Sequence, residues 1–334
     1  MNYAALAEVY RGKNIDGVLI DPRLESVHYG IFAVLDENDH LLLSAGDVHH
    51  KTYIRSAAKP FQMLPMLASG AIEHFGFTSR ECAIVCASHN GEPAHVEAAR
   101  GILEKIGLNV AHLQCGAHAP YHTASAEELI RKGEAFTALH NNCSGKHSGM
   151  LASCVKKKYP IETYLDFEHP LQLEILEYVK EFSGAKETFR GTDGCSAPVF
   201  ELEIIQMARM FARLGSGKQD LLKRSFSIMR AEPFMIGGTS RFDTDLIQNS
   251  NVVGKVGGEG IHCVAVPPEN DRPAIGLAVK IADGNFRALY PVVTSLLNRL
   301  GVLNEGQMQK LAYYVKTPLK NHCKKEIGFV QACV

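Results

Sequence analysis

The sequence predicts an α/β protein of the α+β kind: one sheet built by strands from both termini, with a helical lobe inserted between them. Strand-like apolar runs, Gly17–Ile20, Gly30–Leu35 and Leu41–Leu43, occupy the first 45 residues. They return near the other end as Gly260–Val266 and Ala274–Ile281. Between them the apolar residues recur at helical spacing, as in Leu171, Ile175, Leu176, Val179 and Phe182. With no repeat, low-complexity tract or linker in sight, the chain reads as a single unit, its sheet lobe spanning about 1–55 and 250–334 and its helical lobe about 56–249.

Taken in order, the N-terminal strands form a hairpin with a turn at Asp36–Asp39. The pattern becomes helical after Lys59, where Pro60 is tolerated in a first turn, while Pro65 predicts a kink or a short helix. Thr78-Ser-Arg-Glu81 has capping-box form, and a helix follows over Val96–Ile106, ended by Gly107. Helices are expected at Leu171–Phe182, Leu202–Leu214, Val292–Leu300 and Gln307–Val315.

With 334 residues, 46% hydrophobic and 21% charged, the chain has ample material for a core. A net charge of -1 argues against nucleic acid or an anionic membrane as the main partner, and points to a small ligand. No signal peptide and no apolar span of membrane length is evident, so the expected location is cytoplasmic. The 9 cysteines lack C-x-x-C spacing and should be thiols in a reducing compartment.

The chemistry centres on Arg55-Ser-Ala-Ala-Lys-Pro-Phe-Gln62. Ser56 and Lys59 form an S-x-x-K pair at a strand-to-helix transition, one turn apart on one face. A desolvated lysine loses its proton readily and can take that of a serine. Ser153/Lys156 and Ser183/Lys186 share the spacing, but the first opens a lysine run and the second reads as a helix end. Ser56 is singled out by its companions: an S-x-N triplet, Ser88-His89-Asn90, and a late K-x-G, Lys255-Val256-Gly257. Serine hydrolases of the penicillin-recognising kind use these pieces in this order, usually with a hydroxyl residue where Val256 stands. The bland readings are turn chemistry for Ser88–Gly91 and a charged strand end for Lys255.

Two loops are rich in reactive types, Asn141–His147 and Gly191–Cys195. Chemistry alone would propose Cys143, His147 and Cys195 as zinc ligands; a reactive Cys143 with Lys146 as its base, or two buried thiols, are alternatives. A free amino acid substrate would need a carboxylate for its ammonium, for which Asp193 is the candidate, and a cation for its carboxylate, for which Arg55 is the candidate unless it serves a structural ion pair.

Together with His140–His147, Asp193-Gly-Cys195, Lys255–Gly260 and Glu25–His28, these motifs resemble the asparaginase II family, the Ser-Lys or class 3 type of L-asparaginase, over most of the chain. The resemblance implies a fold similar to serine β-lactamases and glutaminases, and hydrolysis of L-asparagine to L-aspartate and ammonia. It places two Ser-Lys tandems on Ser56-Lys59 and Ser88-Lys255 as the catalytic residues; Asn90 and Glu259 join Arg55 and Asp193 as substrate-binding candidates. It also implies one zinc ion per chain, held by Cys143, Lys146 and Cys195, and a homodimer. Val256 in place of threonine, and alanines at 57 and 197, depart from the family pattern without touching the proposed serines and lysines. A glutaminase, a β-lactamase-like acyl hydrolase and a non-catalytic zinc-binding protein are the alternatives.

Overall fold

A computed structural model describes residues 2–334. Its main sheet contains β1 (Ala4–Ile15), β2 (Val18–Asp36) and β3 (Leu41–Ala45). A smaller sheet is made of β4 (Lys51–Tyr53), β5 (Arg190–Thr192) and β6 (Pro198–Glu203). The main sheet is completed by β7 (Val253–Gly257), β8 (Ile261–Val266), β9 (Ile275–Ile281), β10 (Lys316–Lys320) and β11 (Glu326–Ala332). Its order is β10-β11-β1-β2-β9-β8-β7, with β3 also on β2 and every pairing antiparallel. The expected architecture holds: both termini build the sheet, and most of the helices lie between.

Period-two alternation divides the sheet between two cores. Ile31, Ala33 and Leu35 of β2 face the core shared with the helical lobe, while Phe32 and Val34 face the core under the helix Phe286–Arg299. Every residue of β7, β8 and β9 is buried, as expected of strands covered on both faces. The helix Ile204–Ser216 crosses β9 so closely that a Cβ on Gly276 would stand 1.9 Å from the Ala208 carbonyl oxygen. Glycine is required there by space.

Several local expectations differ. Val18–Ile20 and Gly30–Leu35 belong to one long strand, and β1 lies where the sequence predicts no strand. Pro22 and the exposed polar residues after it break the apolar pattern, yet the ladder to β1 continues through register shifts at Val9/Tyr10 and Arg11/Lys13 that absorb the break. The run Cys82–Ala87 begins within the helix Ser79–Ile84, capped by Thr78 and Glu81 as its sequence suggested. Pro65 sits in a chain of short helices, Lys59–Gln62 and Leu64–Ala68. Leu202 and Glu203 end β6 before the helix starts at Ile204, and Gln307–Val315 divides into Glu305–Lys310 and Ala312–Val315. The strands β10 and β11 carry too little alternation to be read from sequence.

Candidate active site

Both sequence lobes contribute to one cavity of about 570 Å³, lined among others by Arg55, Ser56, Ser88, Asp193, Cys195 and Glu259. The turn Arg55–Ala58 delivers Ser56 to its wall just after β4. Arg55 holds a φ of +53°, a left-handed conformation that costs a non-glycine residue about 1–3 kcal/mol. Its guanidinium donates to Asp193 through Nε at 2.9 Å and approaches the same carboxylate oxygen through Nη2 at 2.7 Å. The two substrate-binding candidates are therefore each other's partners, and both line the cavity.

Ser88 follows the helix Ser79–Ile84 in a loop pinned by backbone bonds from Ser88 N–H to Ile236 and from Asn90 N–H to Gly237. Lys59 and Lys255 are both fully buried. Lys255 Nζ donates to Ser88 Oγ at 2.8 Å and to Val256 O at 2.9 Å, and Lys59 Nζ lies 3.1 Å from the same Ser88 Oγ. Lys59 also donates to the carbonyls of Ala87 and Asn142. No hydrogen bond joins Ser56 Oγ to Lys59 Nζ; the carbonyls draw the lysine toward Ser88, so both amines converge on one hydroxyl. Burial, reinforced by Lys59 and Arg241 and opposed by Asp243, lowers Lys255 to about 7. A lysine so placed exchanges its proton near neutrality.

Lys255 lies on β7, an edge strand of the sheet, with Val256 lining the cavity. Glu259 takes a φ of +58° in the turn that follows. Asn90 is not a cavity residue. Its amide Nδ2 donates to Thr239 O at 2.9 Å, and its Oδ1 accepts from Arg241 Nη1 at 2.8 Å. Arg241, which does line the cavity, went unnoticed in the sequence. The only local signal was its place after the glycine pair Gly237-Gly238 in a loop, which many residues share.

Cys143 and Cys195 line the cavity, and the buried Lys146 places its Nζ 3.0 Å from Cys195 Sγ. A hydrogen bond from Cys143 comes first in lowering the Cys195 thiol, with Lys146 adding to it against the effect of burial. The same bond, followed by burial, raises Cys143, so the two sulfurs share one negative charge that rests on Cys195. Burial works to lower Lys146, but the sulfurs and Asp193 outweigh it and hold the amine protonated. His147 stands apart: its Nδ1 is 2.7 Å from Tyr164 Oη, and its buried Nε2 has no partner. No hydrogen bond joins its ring to either sulfur.

Among the described residues no three His, Cys, Asp or Glu side chains gather as a metal site. A zinc ion here would thus draw on the lysine. Two sulfurs that already share a negative charge are the soft donors zinc prefers, and Lys146 becomes a third donor when its proton leaves, so the residues fit the ion.

The family model described as L-asparaginase II matches residues 18–332. Among solved structures, the chain is similar to a Bacillus glutaminase determined in the presence of 4.3 M NaCl, at 13% identity over 82% of this chain and 91% of that one, with a TM-score of 0.39. It is also similar to a probable glutaminase from Bacillus subtilis complexed with 6-diazo-5-oxo-L-norleucine, at 14% identity over 82% and 84% of the two chains, with a TM-score of 0.38. No curated protein sequence gives a significant match.

Proposed function

From its place in the L-asparaginase II family, to which the chain belongs and which makes it an amidohydrolase of a small-molecule amide, we propose that the protein hydrolyses the side-chain amide of L-asparagine to L-aspartate and ammonia through a serine acyl-enzyme. The observation that carries this reading is the convergence of two buried lysine amines on Ser88 Oγ, beside the cavity that Ser56 lines.

Ser56 is the proposed nucleophile, because its hydroxyl has no hydrogen bond to break and its residue is partly exposed, whereas Ser88 is 3% exposed and held by both amines. Lys59 turns from Ser88 to take the Ser56 proton as the oxygen attacks the amide carbon, with backbone N–H groups at the start of the turn Arg55–Ala58 as the oxyanion donors. Ser88 passes a proton to the departing ammonia and regains one from the lysines, which received it from Ser56; in deacylation the attacking water gives a proton to the Ser88–Lys255 pair, whose lysine has a near-neutral pKa, and the lysines return a proton to Ser56 as the acyl bond breaks. Asp193 receives the substrate ammonium, and Arg55 with Arg241 its carboxylate. Asn90 acts one step back, by holding Arg241, and Glu259 closes the cavity beside β7.

Cys143, Lys146 and Cys195 would hold zinc, which when bound supplies a Lewis-acidic positive charge at the wall that carries Asp193. We further place the enzyme in the cytoplasm as a homodimer, which light scattering of the purified protein tests.

Ammonia release from L-asparagine and L-glutamine by the wild type, Ser56→Ala and Ser88→Ala tests the reading. Asparagine turnover that disappears in Ser56→Ala supports it. Full activity in that variant removes Ser56 as nucleophile, and faster turnover of glutamine makes the enzyme a glutaminase.

A further inference from the structure

Behind Lys255 lies a carboxylate to which the proposed chemistry gives no role. Asp243 opens the helix Phe242–Asn249 and is buried, yet it keeps its charge: against the penalty of burial, Lys255, His262 and the Val256 N–H hold its carboxyl far below the usual range. Its Oδ2 accepts the Val256 N–H at 3.0 Å, its Oδ1 lies 2.8 Å from His262 Nε2, and its Oδ2 is 3.6 Å from Lys255 Nζ. The first two contacts anchor the carboxylate to β7 and β8, so it cannot swing away from the amine.

The groups that face Lys255 come from several elements. Asp243 and its neighbour Arg241 stand at the start of the helix Phe242–Asn249, His262 and Cys263 on β8, Lys59 on the helix Lys59–Gln62, Cys86 and Ser88 on the segment after Ile84, and Cys143 across the cavity floor. Burial comes first in pushing the Lys255 proton off, and Lys59 and Arg241 act in the same direction. Cys86 and Cys263 are raised by burial and stay neutral thiols. Asp243 is the anion in contact with the amine and the largest influence that keeps the proton on.

We propose that Asp243 is a positioning residue for the reaction: its clamped carboxylate holds the Lys255 amine on the Ser88 hydroxyl and sets the charge that amine carries at neutral pH. It acts through Lys255, and so rests on the reading of Lys255 as part of the machinery. An isosteric Asp243→Asn change can keep the Val256 contact and pair its amide with His262 in the other tautomer, so it removes charge at little cost in packing.

The test follows the titration of Lys255 directly, by NMR of protein labelled with 13C at lysine Cε, with the signal assigned by its loss in Lys255→Met. An opposite charge within a few ångströms moves a titration by about one to three pH units. Asp243→Asn is therefore expected to bring the Lys255 midpoint down by about that much, and the limb of the kcat/KM profile that reports Lys255 should move to lower pH with it. An unchanged midpoint overturns the proposal. His262→Gln keeps a donor for Oδ1 and should leave the midpoint within about half a pH unit; a fall as large as in Asp243→Asn would assign the effect to the imidazole and overturn it too. Should Asp243→Asn not fold, Asp243→Glu keeps the charge but displaces it: a midpoint near wild type with a lower kcat supports the proposal, and a midpoint lowered as by charge removal overturns it. The midpoint is read without substrate, so a wild type that hydrolyses no amide defeats the functional reading alone.

Discussion

Lys255 Nζ lies 2.8 Å from Ser88 Oγ, although the two residues are 167 positions apart in the chain. A buried amine lowered to about 7 has lost its proton in about half the molecules at neutral pH and regains it as pH falls. If the proton-free amine is the working form, the kcat/KM of the wild type should rise about tenfold per pH unit below 7 and level off above it. A profile flat between pH 5.5 and 8.5 would rule out that role, and Lys255→Met should lower kcat by about 10²–10⁴-fold.

Arg241 lines the cavity and is held by Asn90 at 2.8 Å. A charge-assisted bond to the substrate carboxylate is worth about 1.5–3 kcal/mol, so Arg241→Leu should raise KM by roughly 10- to 100-fold with a smaller effect on kcat. Asn90→Ala, which leaves Arg241 in place but unanchored, should move KM in the same direction by less. Steady-state kinetics with L-asparagine checks both; an unchanged KM in Arg241→Leu would hand the carboxylate to Arg55 alone.

Cys195 bears the charge shared by the two sulfurs and accepts from Lys146 at 3.0 Å. Cys195→Ser replaces a soft donor by a hydroxyl that stays protonated at neutral pH, and zinc affinity should fall by about 10²-fold or more. Metal content after dialysis against a weak chelator, measured by plasma mass spectrometry, reads this without reference to activity. Zinc retained at the wild-type level would show that these sulfurs do not hold it.

Gly276 allows the helix Ile204–Ser216 to rest on β9, with the Ala208 carbonyl 1.9 Å from where a Cβ would stand. Both atoms are backbone-fixed, so Gly276→Ala must move a helix off a sheet. Overpacking of this kind costs about 1–3 kcal/mol or more, and chemical denaturation should show the midpoint falling with little change in slope.

Much of the site could be read from the chain because its chemistry is written in short motifs. Ser56, Ser88, Asp193, Cys195 and Glu259 all reach one cavity, and Lys59 and Lys255 reach Ser88. Arg241 and Asp243 escaped notice because an arginine or an aspartate near a helix start is ordinary, and becomes informative only when its neighbours in space are known. The same limit explains the strands. β8 and β9 announce themselves by continuous apolar runs, whereas β1, β10 and β11 are held by pairing with their neighbours and carry mixed patterns of their own.

What local pattern specifies here is composition-level and short-range: apolar periodicity, a capping box at Thr78, a proline-broken helix after Ser56, and the residue types that can exchange a proton or hold a metal. These depend on contacts between residues a few positions apart. Packing decided which hydroxyl the lysine amines reach. The Ser56-Lys59 spacing suggests a pair, yet the folded chain turns Lys59 toward Ala87, Asn142 and Ser88 and brings Lys255 to the same oxygen from the far end of the sequence. It also joined Arg55 to Asp193 and set Asp243 behind Lys255. Such choices follow from burial, because a charge removed from water must find its partner among whatever groups the fold places within a few ångströms.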